Sequence, residues 1–290
     1  MTIGSVYKKT EKNRQDRNKM IQLIATDIDG TLVKDSSKEV YEELLTAISQ
    51  LTERGIHFVV ASGRQYASIY KMFEKVADKI DFIAENGAHI IMNGKNLSVI
   101  EMNRPYVEQI MEDLRKLYSK DCHVVASTPT GCYLESKDET FIHLIRDSYR
   151  NEVHLTDDIL AEKEPIIKLA IYKKGGIRDI GESLLIPKWK DKVKTCMAGE
   201  EWVDFMDFKV DKGAALIKLQ EAYQVTKAET MAFGDNNNDK GLMLAAEESY
   251  AVENAVDEVK AVAKHTCPSY EYKGVYQVLI EEFQLQYLRK

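Results

Sequence analysis

The stretch LIATDIDGTL, residues 23–32, carries an apolar run into two aspartates, a glycine and a threonine. Side chains two positions apart in an extended chain point the same way, so Asp27 and Asp29 can face one ligand. Two carboxylates this close repel each other unless a cation lies between them, and Mg²⁺ prefers oxygen ligands. The pattern therefore predicts a buried strand that ends at a metal-assisted reaction centre. Gly30 turns the chain there, and Thr31 is available to an anion.

The composition is that of a globular chain that binds neither nucleic acid nor membranes. Of its 290 residues, 44% are hydrophobic and 30% are charged, and the net charge is −7. This balance argues against a nucleic-acid platform, and no run approaches the roughly 20 apolar residues of a membrane span. The scattered cysteines include no CxxC pair, which favours reduced thiols and a cytoplasmic protein. Residues 1–20 are polar without the apolar segment of a signal peptide, and we predict a disordered extension there.

Strands and helices alternate on both sides of an interruption. After Met20, short apolar runs alternate with amphipathic segments, which is the pattern of βα units and a mostly parallel sheet. The Asn93-Gly94 turn predicts a hairpin that breaks this alternation. Candidate elements of an α+β type continue to Phe208, and the alternation returns after Lys212. We therefore predict an α/β fold with a Rossmann-like parallel-sheet core, residues 21–101 and 209–290, and an inserted α+β cap domain, residues 102–208.

A second acidic segment follows another short apolar run, in MAFGDNNNDKG, residues 231–241. Asp235 can join the same cation, and Asn238 and Asp239 lie in the first helical turn, where they orient the cation or cap the helix. An EF-hand calcium loop is excluded, because its required glycine position holds Lys240. The segment therefore predicts a second half of the metal site.

Two further segments offer groups that bind a phosphate. VVASGR places the Ser62 hydroxyl and the amides of Gly63 and Arg64 just after the second predicted strand. KVDKGAAL places the ammonium of Lys212 at the start of a helix, where it suits a phosphoryl group. Ligands of open α/β sheets bind beyond the carboxyl ends of the strands, so we expect these groups to meet the aspartates there.

The motifs DIDGT, SGR, Lys212 and GDNNND resemble, in this order, the four motifs of the haloacid dehalogenase-like hydrolase superfamily. The segments ENGA (85–88) and AVENA (251–255), and the large insert between them, are similar to the Cof-type sugar-phosphate phosphatase subfamily. Within the insert the resemblance rests on size and pattern. It implies an enzyme, a Mg²⁺-dependent phosphoric monoester hydrolase that acts on a small phosphorylated metabolite such as a sugar phosphate.

The resemblance also implies a role for each site residue. Asp27 would attack phosphorus and form an aspartyl-phosphate, and Asp29 would protonate the leaving group and then activate water. Mg²⁺ would be held by the Asp27 side chain, the Asp29 backbone carbonyl and Asp235. The other implied site residues bind phosphate (Ser62, Lys212, Asn238) or support the metal and the substrate (Asp239, Thr31, Gly63, Arg64, Asn86).

Two other functions stay open on the sequence. A phosphotransferase or phosphomutase would use the same aspartyl-phosphate and pass it to a sugar hydroxyl, as in the eukaryotic-type phosphomannomutases, which share this architecture. A non-catalytic metabolite-sensing module would be expected to lack a nucleophile or a metal ligand, and none is missing here. The oligomeric state is not predicted.

Overall fold

The computed structural model describes residues 21–35, 37–119 and 121–286, so the predicted extension at residues 1–20 lies outside the described residues. The strands of this part are, in chain order, β1 (Leu23–Thr26), β2 (His57–Ala61), β3 (Asp81–Ala84), β4 (His89–Met92), β5 (Lys95–Val99), β6 (Cys122–Ser127), β7 (Cys132–Leu134), β8 (Val153–Leu155), β9 (Lys168–Lys173), β10 (Lys194–Met197), β11 (Trp202–Met206), β12 (Thr230–Gly234), β13 (Glu248–Val252) and β14 (His265–Cys267).

The helices alternate with these strands. They are α1 (Glu42–Glu53), α2 (Tyr66–Met72), α3 (Arg104–Arg115), α4 (Glu139–His143), α5 (Arg178–Ile180), α6 (Ile186–Trp189), α7 (Lys212–Tyr223), α8 (Lys240–Ala245), α9 (Asp257–Lys260) and α10 (Gly274–Phe283). Two π-helical turns extend α4 and join α5 to α6; these are Leu144–Ser148 and Gly181–Leu185. Across the described ranges, every helix is too short or too polar to cross a bilayer.

An eight-stranded sheet forms the core, in the spatial order β14-β13-β12-β1-β2-β3-β4-β5. The strands from β14 to β3 are parallel, and β4 and β5 form an antiparallel hairpin at one edge. Asn93 (φ 51°) and Gly94 (φ 70°) both adopt left-handed backbone in its turn, as the Asn-Gly pair predicted. Strands β1, β3 and β12 are buried at every position, because helices cover both faces of a parallel sheet. The predicted α/β class is confirmed.

A second sheet lies in the segment between β5 and α7, in the order β10-β11-β9-β6-β7-β8. All its strand pairs are antiparallel except β7 with β8, and helices α3 to α6 accompany it, which gives the segment its α+β character. The exact boundaries of this insert, at residues 102 and 208, stay a prediction. In the structure the first sheet ends before the insert at Val99, and α7 begins after it at Lys212.

The two faces of the second sheet differ in character. Side chains alternate across a strand, so the register of β6, β9 and β11 assigns each residue to a face. One face is apolar and packs on α3; it carries Val124, Ala126, Leu169, Ile171, Val203 and Phe205. The other face, which we call the roof face, carries Val125, Ser127, Lys168, Ala170, Trp202 and Asp204, all of which line a cavity above the first sheet.

The insert contacts the core through an apolar cluster and through several hydrogen bonds and ion pairs. A small apolar cluster, which we call the hinge cluster, joins Ala88, Ile167, Met206 and Val210, with Ile100 and Cys196 against it. On the other side, core helix α2 and its N-cap bond to the chain after α4. Ser68 Oγ donates to the Tyr149 carbonyl at 2.6 Å, and Lys71 Nζ donates to the Arg150 carbonyl at 3.1 Å. The Glu152 amide donates to Gln65 Oε1 at 2.8 Å, and Arg150 Nη1 donates to the Lys38 carbonyl at 2.9 Å.

Candidate active site

The candidate site lies where four parallel strands of the core end side by side. Asp27 follows β1, Ser62 follows β2, Glu85 follows β3 and Asp235 follows β12. These residues line a cavity of about 650 Å³ that the roof face covers from the other side. The sequence prediction that the motifs meet at one sheet edge therefore agrees with the observed topology.

A buried ammonium connects two of the predicted aspartates. Asp211 caps α7 by accepting a hydrogen bond from the Ala214 amide at 2.9 Å, which starts the helix at Lys212. Lys212 Nζ then lies 2.6 Å from Asp27 Oδ1 and 2.6 Å from Asp239 Oδ1. Burial alone would lower the pKa of this lysine, but the carboxylates of Asp239 and Asp27 more than offset that effect and raise it above its usual range.

Crowding of carboxylates perturbs the two predicted metal ligands. Burial, reinforced by the charge of Asp239, raises the pKa of Asp27 well above its usual range, although Lys212 opposes the shift. Burial and Asp239 also raise the pKa of Asp235 to about 6. Both shifts mean that the negative charge of the two carboxylates is costly here, and a bound cation would relieve this cost.

The donor atoms of this cluster fit a hard divalent cation. One oxygen from each of Asp27, Asp235 and Asp239 lies within 4.8 Å of the others. Asp27 is 5% exposed, and its Oδ2 has no hydrogen-bond donor among the described residues. Asp239 is already engaged, because its Oδ1 binds Lys212 and its Oδ2 accepts from the amides of Asp235 and Asn236 at 3.1 and 3.0 Å. The all-oxygen set suits Mg²⁺, with Asp239 holding the loop.

The turn after β1 is shaped to approach Asp235 closely. Gly30 has φ +81°, and a Cβ built on it would lie 2.3 Å from Asp235 Oδ2, so only glycine fits. Thr31 Oγ1 donates to Asp235 Oδ1 at 2.9 Å. Asn254 Nδ2, from the AVENA segment, donates to the Gly30 carbonyl at 2.7 Å. These contacts fix the two acidic motifs against each other.

The Asp29 side chain pairs with an arginine. Arg64 Nε lies 2.7 Å from Asp29 Oδ2, and Arg64 Nη2 lies 2.5 Å from Asp29 Oδ1, which is a bidentate ion pair. The Arg64 amide also donates to Ser62 Oγ at 3.2 Å. The structure therefore places the Arg64 guanidinium on Asp29, while the predicted contact of Arg64 with phosphate or leaving group stays a prediction.

The ENGA segment forms a turn whose backbone is unusual. Glu85 (φ 48°) and Asn86 (φ 58°) both adopt left-handed backbone without being glycine, and such strain concentrates at functional sites. The Asn86 amide donates to the Ser62 carbonyl at 2.9 Å, and Asn238 Nδ2 donates to Asn86 Oδ1 at 2.9 Å. A Cβ on Gly63 would meet the Asn86 amide group at 3.2 Å. The turn therefore links the Ser62 loop to the Asn238 loop.

One group of charged residues was not predicted from the sequence. Lys168, on the roof face, forms an ion pair with the Glu85 carboxylate, and its Nζ lies 3.7 Å from Asp204 Oδ2 and 3.3 Å from the Gly63 carbonyl. Burial would lower the pKa of Lys168, but Asp204 and Glu85 raise it above its usual range. Burial in turn raises the pKa of Asp204, with Lys168 opposing. The available signal was a single charge inside each of two apolar runs, IIKLAIY and WVDFM.

The chain matches the family model described as haloacid dehalogenase-like hydrolase over residues 24–279. This match confirms the resemblance that the four motifs, ENGA and AVENA predicted. Among the relatives is a 5-amino-6-(5-phospho-D-ribitylamino)uracil phosphatase of Escherichia coli (strain K12). It is 27% identical over 259 residues, which cover 89% of this chain and 95% of the relative.

Solved structures share the fold over nearly their whole length. A crystal structure from Eubacterium rectale is 37% identical, with a TM-score of 0.80, and the match covers 90% of this chain and 99% of that one. The structure of TM0651 from Thermotoga maritima is 27% identical, with a TM-score of 0.78 and coverage of 93% and 100%. The observed arrangement of core and insert is therefore shared with these proteins.

Proposed function

We propose that the protein hydrolyses a small phosphorylated metabolite through an aspartyl-phosphate. The premise is that the chain belongs to the haloacid dehalogenase-like hydrolase family and is a phosphatase of that family. The observation that carries the proposal is the Asp27 carboxylate. Lys212 holds its Oδ1, while its Oδ2 lacks a donor among the described residues although it is buried at the cavity. An oriented carboxylate oxygen without a hydrogen bond is suited to nucleophilic attack.

The reaction we propose has two steps. In the first, an Asp27 oxygen bonds to phosphorus while the ester P–O bond breaks, and the Asp29 carboxyl gives its proton to the leaving alkoxide. In the second, Asp29 takes a proton from water, whose oxygen bonds to phosphorus as the bond to Asp27 breaks. Arg64 holds both oxygens of the Asp29 carboxylate in the structure, so the pair has to open at one oxygen for each proton transfer.

Charge on the transferred group is met by residues of the same edge. Lys212 neutralises the phosphoryl oxygens, and the Ser62 hydroxyl with the amides of its loop holds them in place. Asp27 and Asp235, with the Asp29 backbone carbonyl, would hold Mg²⁺, and Asp239 would support them. When bound, the metal shields the approach of one anion to another.

The size of the cavity supports a small substrate. Its volume, about 650 Å³, is in the range of small-molecule sites, and the insert covers it. The E. coli relative acts, by its name, on a phosphate ester of a ribityl chain. We propose a phosphorylated sugar, polyol or similar monoester as the substrate class here.

The proposal is tested by phosphate release from a panel of small phosphoesters. Replacing Asp27→Asn removes the nucleophilic charge but keeps the shape, so turnover should fall by about a thousandfold or more, while the fold stays intact by circular dichroism. Asp157→Asn, a cap aspartate paired with Lys137 outside the cavity, is the matched control and should keep full activity. EDTA should abolish activity and Mg²⁺ restore it.

Three results would count against the proposal. Substantial turnover by Asp27→Asn would refute the assignment of Asp27 as the nucleophile. Turnover in EDTA would refute the dependence on a metal. Phosphate transfer to a sugar hydroxyl, with activation by a bisphosphate and no net phosphate release, would favour the phosphotransferase or phosphomutase alternative instead.

A further inference from the structure

The cavity is strongly acidic beyond its metal-binding carboxylates. Apart from Asp27 and Asp235, the described residues that line it carry six carboxylates and two cations. The carboxylates are Asp29, Asp35, Glu85, Glu200, Glu201 and Asp204, of which Glu200 pairs with Arg178 outside the lining, and the cations are Arg64 and Lys168. A leaving group bound in this cavity therefore meets a surplus of negative charge.

Both cations are already paired with carboxylates. Arg64 forms the bidentate pair with Asp29. Lys168, whose side chain is 12% exposed, lies between Glu85 and Asp204 and also reaches the Gly63 carbonyl. Within the described lining Lys168 is the roof face's cation, and two carboxylates balance it. It does not offer a free positive charge to a second anionic group of a substrate.

Several neutral groups also line the cavity. Gln65 is 4% exposed and lines the cavity, and its Nε2 has no oxygen or nitrogen partner among the described residues, with the Cys132 thiol beside the Gln65 side chain. Ser127 adds a hydroxyl, and Trp202 and Tyr149 add aromatic surface, with Trp202 Nε1 lying 3.3 Å from the Tyr149 hydroxyl. Such groups bind hydroxyls and uncharged faces, and an amide donor left unpaired in a buried position favours a ligand that accepts its hydrogen bond.

We propose that this phosphatase selects monoesters whose leaving group carries no second anionic group, and that Glu85 and Asp204 set this selectivity by neutralising Lys168. The inference rests on the proposed function and narrows its substrate class to phosphate esters of neutral polyols and of amino sugars. A carboxylate or a second phosphate on the leaving group would face like charges with no free cation, and such juxtapositions are strongly unfavourable.

A matched pair of esters tests the selectivity on the unmodified enzyme. Sorbitol 6-phosphate and 6-phosphogluconate are open chains that differ at the far end, where one has a hydroxymethyl group and the other a carboxylate. We expect kcat/KM for phosphate release to be at least about tenfold higher for sorbitol 6-phosphate. Where turnover is slow, the same ratio is read from competitive inhibition of p-nitrophenyl phosphate hydrolysis. Glucosamine 6-phosphate should be accepted at least as well as glucose 6-phosphate.

Two variants then test the residues. Glu85→Gln and Asp204→Asn each keep the shape and free Lys168 from one carboxylate, so each should narrow the preference for sorbitol 6-phosphate by about threefold or more. Asp157→Asn, which also removes a cap carboxylate paired with a lysine but lies outside the cavity, should leave the ratio unchanged. If one of the two variants fails to fold, the other carries the test.

The outcomes separate this inference from the function on which it rests. If none of the four sugar esters nor p-nitrophenyl phosphate releases phosphate, the proposed function fails and the inference with it. If phosphate is released but 6-phosphogluconate is hydrolysed as well as sorbitol 6-phosphate, the selectivity is wrong and the function stands. If the preference exists but neither variant narrows it, Glu85 and Asp204 do not set it.

Discussion

The ammonium of Lys212 is fully buried between two carboxylates, and we propose that it has a structural and a chemical task. It binds Asp27 and Asp239 at equal distances, so it fixes the end of β1 relative to the start of α8. In the proposed reaction the same charge would neutralise the phosphoryl group that Asp27 attacks. A buried ion pair that loses one partner leaves an uncompensated charge, so this lysine should matter to stability as well as to turnover.

Replacing Lys212→Met should therefore affect both properties. We expect the free energy of unfolding to fall by about 3–5 kcal/mol, because two buried carboxylates lose their counter-charge. Turnover should fall by at least about a hundredfold. Chemical denaturation and phosphate release measure the two effects. Lys218→Met, in the same helix but exposed at Ser98, is the control and should change stability by no more than about 0.5 kcal/mol. An unchanged free energy of unfolding in Lys212→Met would contradict the view that the charge of Lys212 stabilises the two buried carboxylates.

Single residues were predictable where local chemistry decides their position. Asp27, Asp29 and Asp235 come at the ends of apolar strands. Both their place at the sheet edge and their suitability as oxygen ligands of a metal could therefore be argued from the sequence. Lys168 and Glu85 could not be paired in this way. They are far apart in the chain, and their contact depends on how the insert docks, which no local pattern encodes.

Among the elements, α7 and α8 cross at two glycines that no side chain could replace. A Cβ built on Gly213 would lie 2.3 Å from the backbone of Gly241, and one built on Gly241 would lie 2.4 Å from Asp211 Oδ1. The crossing brings together the first residue of α7, Lys212, and the residue just before α8, Asp239. The active-site ion pair thus depends on the spacing of two helices.

The variant Gly213→Ala tests this spacing, because two effects change the free energy of unfolding in opposite directions. Helix propensity alone would stabilise the protein by roughly 1 kcal/mol, whereas overpacking costs about 1–3 kcal/mol. We expect a net loss of stability together with a lower kcat, measured by denaturation and phosphate release. Ala222→Gly on the exposed face of α7 should cost about 1 kcal/mol and leave kcat unchanged. A stabilised and fully active Gly213→Ala enzyme would show that the helices separate at no cost.

Elements were predictable when their period and their ends were both visible. The βα units and the Asn93-Gly94 hairpin met that condition. Helix α10 did not, because it begins at Gly274 after Lys273 in left-handed backbone, with no capping side chain. The helical stretch from Arg178 to Trp189 contains Gly181 and Pro187, which normally end a helix. Here a π-helical turn begins at Gly181, and Pro187 lies in the first turn of α6, where proline is tolerated.

For the whole molecule, the position of the insert determines whether the cavity exists. Its roof face and the strand ends of the core belong to separate sheets, and each sheet has its own apolar core. Hydrogen bonds from Ser68 and Lys71 to backbone carbonyls of the insert are part of what holds the two together. Each such bond contributes only about 0.5–1.5 kcal/mol net, so removing two of them should weaken the docking without abolishing it.

The double variant Ser68→Ala/Lys71→Met should loosen this docking. Loss of two hydrogen bonds predicts a shift of about 1–3 kcal/mol toward separation, which corresponds to roughly 5- to 150-fold. Hydrogen–deuterium exchange of the Glu152 amide, which bonds to Gln65, should accelerate accordingly, and KM should rise. Lys75→Met is the control, since that exposed lysine pairs with Glu42, and neither residue belongs to the insert. If exchange at Glu152 is unchanged in the double variant, other contacts hold the insert.

The hinge cluster brings the two ends of the insert together, with Ile100 on the outgoing chain and Val210 on the returning chain against the same few side chains. For the core, the insert is therefore a closed loop. The entropy of closing a loop rises only with the logarithm of its length, by about 0.6 kcal/mol for each doubling. The core would bear almost the same penalty for a much shorter or longer excursion at this point. Natural variation can therefore remodel the roof, and with it the choice of ester, while the strand ends that carry the chemistry stay as they are.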